Sequence, residues 1–411
     1  MRDEVVVVGI GADGWNGLAP RARHEVERAE VLMGSRRQLD LVPDSGALRV
    51  PWPSPLIPAL QGLVAEHAGR QICVLASGDP MFHGIGVTLV DLLGAERVQV
   101  IPHPSSATLA CARMGWPAHA TSVVSLVDRP VESLLPAAVS GARLLVLSRD
   151  EHTPAAVAAQ LTHHGFGESH LTVFGGLGGP TESRIDGTAS TWTRELGNRL
   201  NVIAIECRAD PGRVRLTRIP GLPDEVYSGD GQMTKQEIRA VTLCALAPAP
   251  GELLWDVGAG SGTIAIEWMR THPRCRAVAF ERNAHRVKTI EENARTLGVS
   301  SLMVLGESPG AFEHVPAALS LPDAIFVGGG LTRKGLLDEC WDRLGSGGRL
   351  VANAVTAESE VVLLQSVSKH GGQIRKFQVY RGEPLGGFTT WRPQLPVVQW
   401  SVTKQSKGCP S

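Results

Sequence analysis

Asp256, Gly258, Gly260 and Gly262 recur at every second position in Leu254-Trp255-Asp256-Val257-Gly258-Ala259-Gly260-Ser261-Gly262-Thr263, and a second acid, Glu281, stands 19 residues beyond the last of these glycines. Carboxylates can hold an ammonium or a pair of vicinal hydroxyls. Glycines reach positive φ and admit a ligand to the main chain where a Cβ would block it. The apolar run ending in Asp256 predicts a strand and the amphipathic stretch from Thr263 predicts a helix, so the loop delivers its ligand to a helix N-terminus. Nicotinamide and flavin enzymes share such a unit with methyltransferases, and spacing separates them. The dinucleotide pattern G-x-G-x-x-G, counted from Gly258, requires glycine at 263, where Thr263 stands. A carboxylate at 256 would repel a pyrophosphate but can take up the ammonium of a methionine moiety. Glu281, closing the next apolar strand, can accept both hydroxyls of a ribose. Together they point to S-adenosylmethionine, with Gly258, Ala259, Gly260, Gly262 and Thr263 as loop contacts. The competing reading is a turn whose glycines serve the chain alone.

A literal G-x-G-x-x-G does occur at Gly9-Ile10-Gly11-Ala12-Asp13-Gly14. Residues 15–19 separate its third glycine from the helix that Pro20 opens, a favoured first helical position. The acid about 20 residues on, Glu30, begins the next strand instead of ending it. A nicotinamide site is disfavoured there.

Gly78-Asp79-Pro80-Met81-Phe82, after the apolar strand 71–77, and Pro104-Ser105-Ser106, after the strand 98–102, are rigid edges at which main-chain groups and small hydroxyls can face a ligand. Aspartate and proline there also serve as an ordinary helix start.

The elements that must position these groups are α/β. A chain of 411 residues exceeds one hydrophobic core, so two domains are expected. Formal net charge is −1, which favours neither nucleic acid nor an acidic membrane surface, so any anionic substrate needs a local site. The seven cysteines are scattered without a C-x-x-C pair, and the 13 histidines show no ligand spacing on an element. A disulfide framework and a metal are therefore not expected, and a reducing cytoplasm is. No signal peptide or membrane span is read: no apolar run approaches 18 residues.

Strands over 4–9, 29–34, 71–77, 98–102 and 144–147 alternate with helices, the last opened by an N-cap and first-turn pair at Thr153-Pro154. Segments 171–174, 182–185 and 202–205 read as strands joined by short turns, so the first half ends richer in antiparallel strands. Between 211 and 232 prolines and glycines break all periodicity, giving a linker between domains 1–210 and 233–404, with a tail at 405–411. Thr234-Lys235-Gln236-Glu237 reads as a capping box with Thr234 as N-cap. Strands at 277–281, 302–305, 323–327 and 349–353 follow the central one, then a pair at 375–380 and 397–402.

The motif order resembles a known family over nearly the whole chain. Met233-Thr-Lys-Gln-Glu237-Ile-Arg, the loop from Asp256 to Gly262, Phe280-Glu-Arg-Asn283, Gly306-Glu-Ser-Pro309 and Phe326-Val-Gly-Gly-Gly330 resemble decarboxylating precorrin methyltransferase domains. Val8-Gly-Ile-Gly11, Ala76-Ser-Gly-Asp-Pro80-Met-Phe, Pro104-Ser-Ser106 and Val124-Ser-Leu126 look like a tetrapyrrole methylase. Fused in this order, they are similar to the precorrin-6B C5,15-methyltransferases (decarboxylating). The resemblance implies a two-lobed N-terminal tetrapyrrole-methylase fold and a C-terminal Rossmann-like class I methyltransferase fold. It implies two S-adenosylmethionine sites, one per domain, and conversion of precorrin-6B to precorrin-8 in cobalamin biosynthesis. C5 methylation falls to the first domain, and C15 methylation with loss of the ring C acetate carboxyl to the second.

The matching positions add Thr234, Arg282, Gly306, Glu307 and Gly328 to one cofactor site. They give Gly11, Gly78, Asp79, Pro80, Phe82, Ser105, Ser106 and Leu126 to the other. Gly306-Glu307-Ser308 stands where the family often carries aspartate and alanine, at the adenine contact. Neither a cysteine nucleophile nor a metal is required. A polycarboxylate tetrapyrrole calls for cations near strand ends, and Lys235, Arg282, Arg333 and Lys334 are the candidates. A homo-oligomer is expected. A cobalt-containing precorrin, one inactive domain, or a tetrapyrrole carrier holding S-adenosylmethionine for structure are the alternatives.

Overall fold

The structure is a computed structural model describing residues 4–193 and 197–405. The chain divides into two compact units, Met1–Arg213 and Val214–Ser411.

The first unit opens with strict alternation: β1 (Val5–Ile10), α1 (Pro20–Glu27), β2 (Val31–Gly34), α2 (Arg36–Asp40), β3 (Leu48–Pro51), α3 (Leu60–Glu66), β4 (Ile72–Ser77), α4 (Ile85–Leu93) and β5 (Val98–Ile101). The strands form a parallel sheet in the order β3-β2-β4-β1-β5. All six residues of β1 are buried, as expected where helices cover both faces of a parallel sheet. Val6, Val8 and Ile10 enter one core cluster, Val5 and Val7 the other. The second lobe contains α5 (Ser106–Met114), β6 (Ser122–Ser125), β7 (Arg143–Leu147), α6 (Thr153–His163), β8 (His170–Gly175), β9 (Ser183–Thr188) and β10 (Asn201–Glu206). Its sheet runs β6-β7-β10-β8-β9, parallel at β6/β7 and antiparallel elsewhere.

The second unit contains α7 (Gln236–Leu246), β11 (Leu253–Val257), α8 (Thr263–Thr271), β12 (Arg276–Phe280), α9 (Ala284–Thr296), β13 (Met303–Leu305), β14 (Ala324–Val327), α10 (Leu336–Arg343), β15 (Arg349–Ala354), α11 (Ala357–His370), β16 (Gln373–Phe377), β17 (Tyr380–Leu385), β18 (Phe388–Pro393) and β19 (Val397–Thr403). Seven strands form one sheet, β13-β12-β11-β14-β15-β19-β16, with β19 antiparallel to both neighbours. Strand order reverses at β11, between β12 and β14. In open α/β sheets, ligands bind outside the carboxyl ends of the strands at such a switch point. The expected α/β class with a Rossmann-like second half holds.

Several sequence expectations are corrected. Thr234 does not cap α7: Lys235 occupies the N-cap without a side-chain cap bond, and Glu237 turns away to pair with Arg381, 2.7 Å distant. Thr153 is the first residue of α6 and not its N-cap, with its hydroxyl held by Asp150. The segment 211–232 does not behave as a free linker beyond Arg213. Leu222 and Tyr227 are buried in the core of the second unit. Glu267 on α8 accepts the Leu222 amide at 3.0 Å and the Tyr227 hydroxyl at 2.9 Å. The strand pair expected at 375–380 and 397–402 is β16 and β19, with the β17–β18 hairpin between them unanticipated, like β3 and β6. The tail expected at 405–411 lies, apart from Gln405, outside the described residues.

Candidate cofactor cradles

In the second unit the glycine loop leaves the tip of β11 with φ of 74°, 60° and 78° at Gly258, Gly260 and Gly262, values that strain any side-chain-bearing residue. Each glycine has a different neighbour. A Cβ at Gly258 would lie 2.7 Å from the Gly329 nitrogen, because the loops at the tips of β11 and β14 touch there. One at Gly262 would strike Ile290 on α9 at 2.8 Å. At Gly260 a Cβ would meet one atom within 4 Å, the Gln232 carbonyl oxygen at 3.0 Å. The middle of the loop thus offers bare main chain, and at Gly306 a Cβ would meet nothing within 4 Å. Gly328 donates its amide to Val257, and Phe326 lies against it.

Glu281 follows β12 directly and is 6% exposed. Its Oε2 accepts the Gly260 amide at 2.9 Å and its Oε1 the Asn283 amide at 2.9 Å. Two main-chain donors thus draw the acid in from solvent. Asp256 departs from the reading as an ammonium contact. It is fully buried, and its Oδ2 accepts the Ala265 amide at 3.0 Å, capping the first turn of α8. Burial, reinforced by repulsion from Glu281 and opposed by the Ala265 hydrogen bond, raises its pKa to about 7. Asp256 Oδ1 and Ser261 Oγ are buried polar atoms without a hydrogen-bond partner among the described residues. Bare main chain, a strand-end carboxylate and two orphaned oxygens around one loop fit a nucleoside-bearing ligand.

The remaining candidates are dispersed in role. Thr234 presents its carbonyl to Arg239, and Thr263 is buried at the start of α8. Lys235 Nζ donates to the Gly231 carbonyl at 3.2 Å. Arg333 is held by Glu307 at 2.8 Å and the Ser308 carbonyl at 2.7 Å, so Glu307 is ion-paired. Arg282 and Lys334 are exposed.

In the first unit the tips of β1, β4 and β5 converge. Gly78 has φ of 59°, donates to the Ile10 carbonyl at 2.9 Å, and would place a Cβ 3.2 Å from the Ser105 Cα. Asp79 accepts the Met81 amide, and Ser105 caps α5 by accepting the Thr108 amide at 3.0 Å, with Ser106 opening the helix. Pro80 is buried and its carbonyl excludes any Cβ at Gly84 or Gly86, whereas the Phe82 ring is 38% exposed. Leu126 is buried and gives its amide to Leu147. Sequence reasoning missed Asp13 and His103, whose side chains meet at 3.4 Å directly over Gly11. Asp13 lies inside the misleading G-x-G-x-x-G, which drew attention to its glycines. It also missed Arg286 and Asn293 on α9, described below. Among the described residues, no helix is long and apolar enough to cross a membrane.

Residues 4–192 match the family described as Tetrapyrrole (Corrin/Porphyrin) Methylases, and residues 225–404 match the Precorrin methyltransferase domain family. The chain is 51% identical over 405 residues to a Precorrin-6Y C(5,15)-methyltransferase (decarboxylating) of Mycobacterium tuberculosis (strain ATCC 25618 / H37Rv), covering 98% of this chain and 100% of the relative. It is 42% identical over 403 residues to a protein of the same name from Sinorhizobium sp, covering 97% and 96%. The solved C-terminal domain of precorrin-6Y C5,15-methyltransferase from Rhodobacter capsulatus is 41% identical and spans 46% of this chain and all of that one, with a TM-score of 0.43.

Proposed function

From its membership of the decarboxylating precorrin-6Y C(5,15)-methyltransferases, the family to which this chain belongs, we propose that it methylates a precorrin at C5 and C15 and removes one carboxyl as CO2, in cobalamin biosynthesis. The observation that carries this reading is the placement of two methyltransferase families end to end on two separate compact units. The C-terminal unit takes C15 methylation and decarboxylation, and the N-terminal unit takes C5 methylation. Each unit has its own S-adenosylmethionine site.

When bound, S-adenosylmethionine supplies an electrophilic methyl group. The chain orients donor and acceptor and keeps water from the transfer. In the C-terminal unit Glu281 would take the ribose hydroxyls and the side-chain-free backbone at Gly260 would admit the donor, while the loop amides of Gly258, Ala259, Gly260 and Gly262 hold the loop itself and Asp256 holds α8 in place. In the N-terminal unit Gly11, Gly78, Asp79 and Ser105 shape the donor site. Arg282 and Lys334 are the cations we favour for substrate carboxylates, since both are exposed, while Arg333 is bound to Glu307. The relatives matched over the full chain are named for precorrin-6Y, which supports a precorrin as the substrate.

The chain assembles with copies of itself, a reading supported by the β17–β18 hairpin and the segment after it. These expose Tyr380, Leu385, Phe388, Trp391 and Leu395 by 56–82%. The six described cysteines are free thiols, which supports the cytoplasm. Mass spectrometry of product made from a defined precorrin tests the function by counting methyl groups gained and CO2 lost. A single methyl addition without CO2 would overturn it. Titration with S-adenosylmethionine tests the two sites: one equivalent per chain would leave one unit without a donor.

A further inference from the structure

Residues 228–233 lie over the C-terminal glycine loop, and two residues of α9 hold them there. Asn293, 2% exposed, is tied to both polar groups of the Ser228 backbone: its Oδ1 accepts the Ser228 amide at 2.9 Å and its Nδ2 donates to the Ser228 carbonyl at 3.0 Å. The same Nδ2 donates to the Ser261 carbonyl at 3.1 Å, inside the glycine loop. Two helical turns earlier, and so on the same face, Arg286 grips the exposed part of the segment. It reaches Asp230 Oδ2 at 2.7 and 3.0 Å and Gln232 Oε1 at 2.6 Å. Between these points the segment touches the loop. A Cβ at Gly229 would lie 2.6 Å from Ser261 Oγ, and the Gln232 carbonyl is the atom facing Gly260. The attachments differ in kind. The buried Asn293 contacts are shielded from water, whereas Arg286 and Asp230 are 25% and 47% exposed and therefore screened.

We propose that residues 228–233 form a strap over the C-terminal donor cradle, with Asn293 as its fixed pin and Arg286 as a releasable latch, and that donor exchange requires the latch to open. Arg286 is then a positioning residue: it acts on the donor through Asp230 and Gln232. The inference rests on the C-terminal unit holding S-adenosylmethionine. α9 begins directly after its N-cap Asn283, whose amide Glu281 accepts, so one short stretch carries the ribose acid, the latch and the pin.

The test is the dissociation rate of labelled S-adenosylmethionine from the full chain, chased with unlabelled ligand, with the C-terminal phase defined as the one that Gly260→Arg abolishes. Arg286→Gln and Asp230→Asn should each accelerate that phase about three- to fivefold, the size expected from losing one partly exposed, charge-assisted pair. The exchange Asp230→Arg with Arg286→Asp should restore the slow rate. In the unmutated chain, raising salt from about 50 to about 500 mM should accelerate the phase, and Arg286→Gln should be insensitive to salt. A pair with a merely structural role would change the melting temperature and leave the dissociation rate alone. Unchanged rates in both variants, or salt-independence of the unmutated chain, overturns the strap. If Gly260→Arg abolishes no phase, the C-terminal donor site itself is wrong.

Discussion

Glu281 accepts the amide proton of Gly260 at 2.9 Å, so the acid that ends the second strand and the glycine loop that ends the first are one hydrogen-bonded unit. The carboxylate also accepts the Asn283 amide, and at 6% exposure it has little water to replace either bond. Any ligand that uses this acid meets it already aimed.

Glu281→Gln therefore has two expected effects. The amide can accept one of the two backbone donors but presents NH2 to the other, which costs on the order of 1–2 kcal/mol of stability, as for a buried donor left unmatched. It also removes the charged acceptor we propose for the ribose hydroxyls, so S-adenosylmethionine affinity at the C-terminal site should fall about tenfold or more. Urea unfolding and calorimetric titration measure the two separately. Unchanged affinity beside reduced stability would make Glu281 a loop support and nothing else.

Asp256 gives a pH signature. In the folded chain its pKa of about 7 lies above the ordinary 3.8. Between those values the folded chain keeps a proton that the unfolded chain has lost. By linkage, this residue's contribution to stability falls as pH rises through that window and levels off above about 7. From pH 5 to pH 8 the loss is on the order of 2–3 kcal/mol. Asp256→Asn removes the titration while keeping an acceptor for Ala265, so its stability curve should be flatter over the same range in denaturant melts. Parallel curves for the two proteins would assign the pH dependence elsewhere.

The segment before α7 sets where the chain can be cut. Arg239 and Glu267, both buried, share Leu222, Asp224 and Tyr227 as partners, and a fragment starting at 230 deletes all three. Stripping partners from a buried ion pair costs about 3–5 kcal/mol. Fragment 214–411 should melt cooperatively, and 230–411 should melt at a clearly lower temperature or without a transition. Equal melting temperatures would show that Leu222 and Tyr227 are dispensable.

The hairpin offers a test of assembly. Phe388 and Trp391 are 82% and 71% exposed and line no core within the unit. Replacing both with glutamate should leave the melting of the C-terminal unit nearly unchanged while lowering the mass measured by light scattering. An unaltered mass would place the self-contact on another surface.

The sequence made the cradle legible because backbone demands leave a spacing: Gly258, Gly260 and Gly262 all have positive φ. The second acid was legible for the same reason, being fixed to a strand end. What each carboxylate does was not legible. Asp256 at a strand end can turn outward to a ligand or inward to the Ala265 amide nine residues on, and local sequence does not distinguish the two. The capping box failed because Glu237 found Arg381, 144 residues away, a stronger partner than the backbone beside it. The 211–232 segment misled through its prolines and glycines, which describe irregular backbone and not burial. Leu222 and Tyr227 are irregular and buried at once. β17 and β18 hid because neither turns an alternating apolar face to a core.

The division of labour between the units is tested at Gly260. Its φ of 60° strains any L side chain, and the Gln232 carbonyl faces the site at 3.0 Å. Arginine there would fill the cradle and push on residues 228–233, while every residue of the N-terminal unit is left unchanged. Gly260→Ala is the graded control, adding the strain and a single methyl group without filling the space. If the C-terminal unit performs the C15 transfer and the decarboxylation, Gly260→Arg should lose CO2 release and one of the two methyl additions. Methylation at C5 should survive on an acceptor already modified at C15. Gly260→Ala should retain both C-terminal products at reduced rate. Labelled CO2 capture and product mass read these outcomes directly. CO2 release at the unmutated rate from Gly260→Arg would move the decarboxylation to the N-terminal unit.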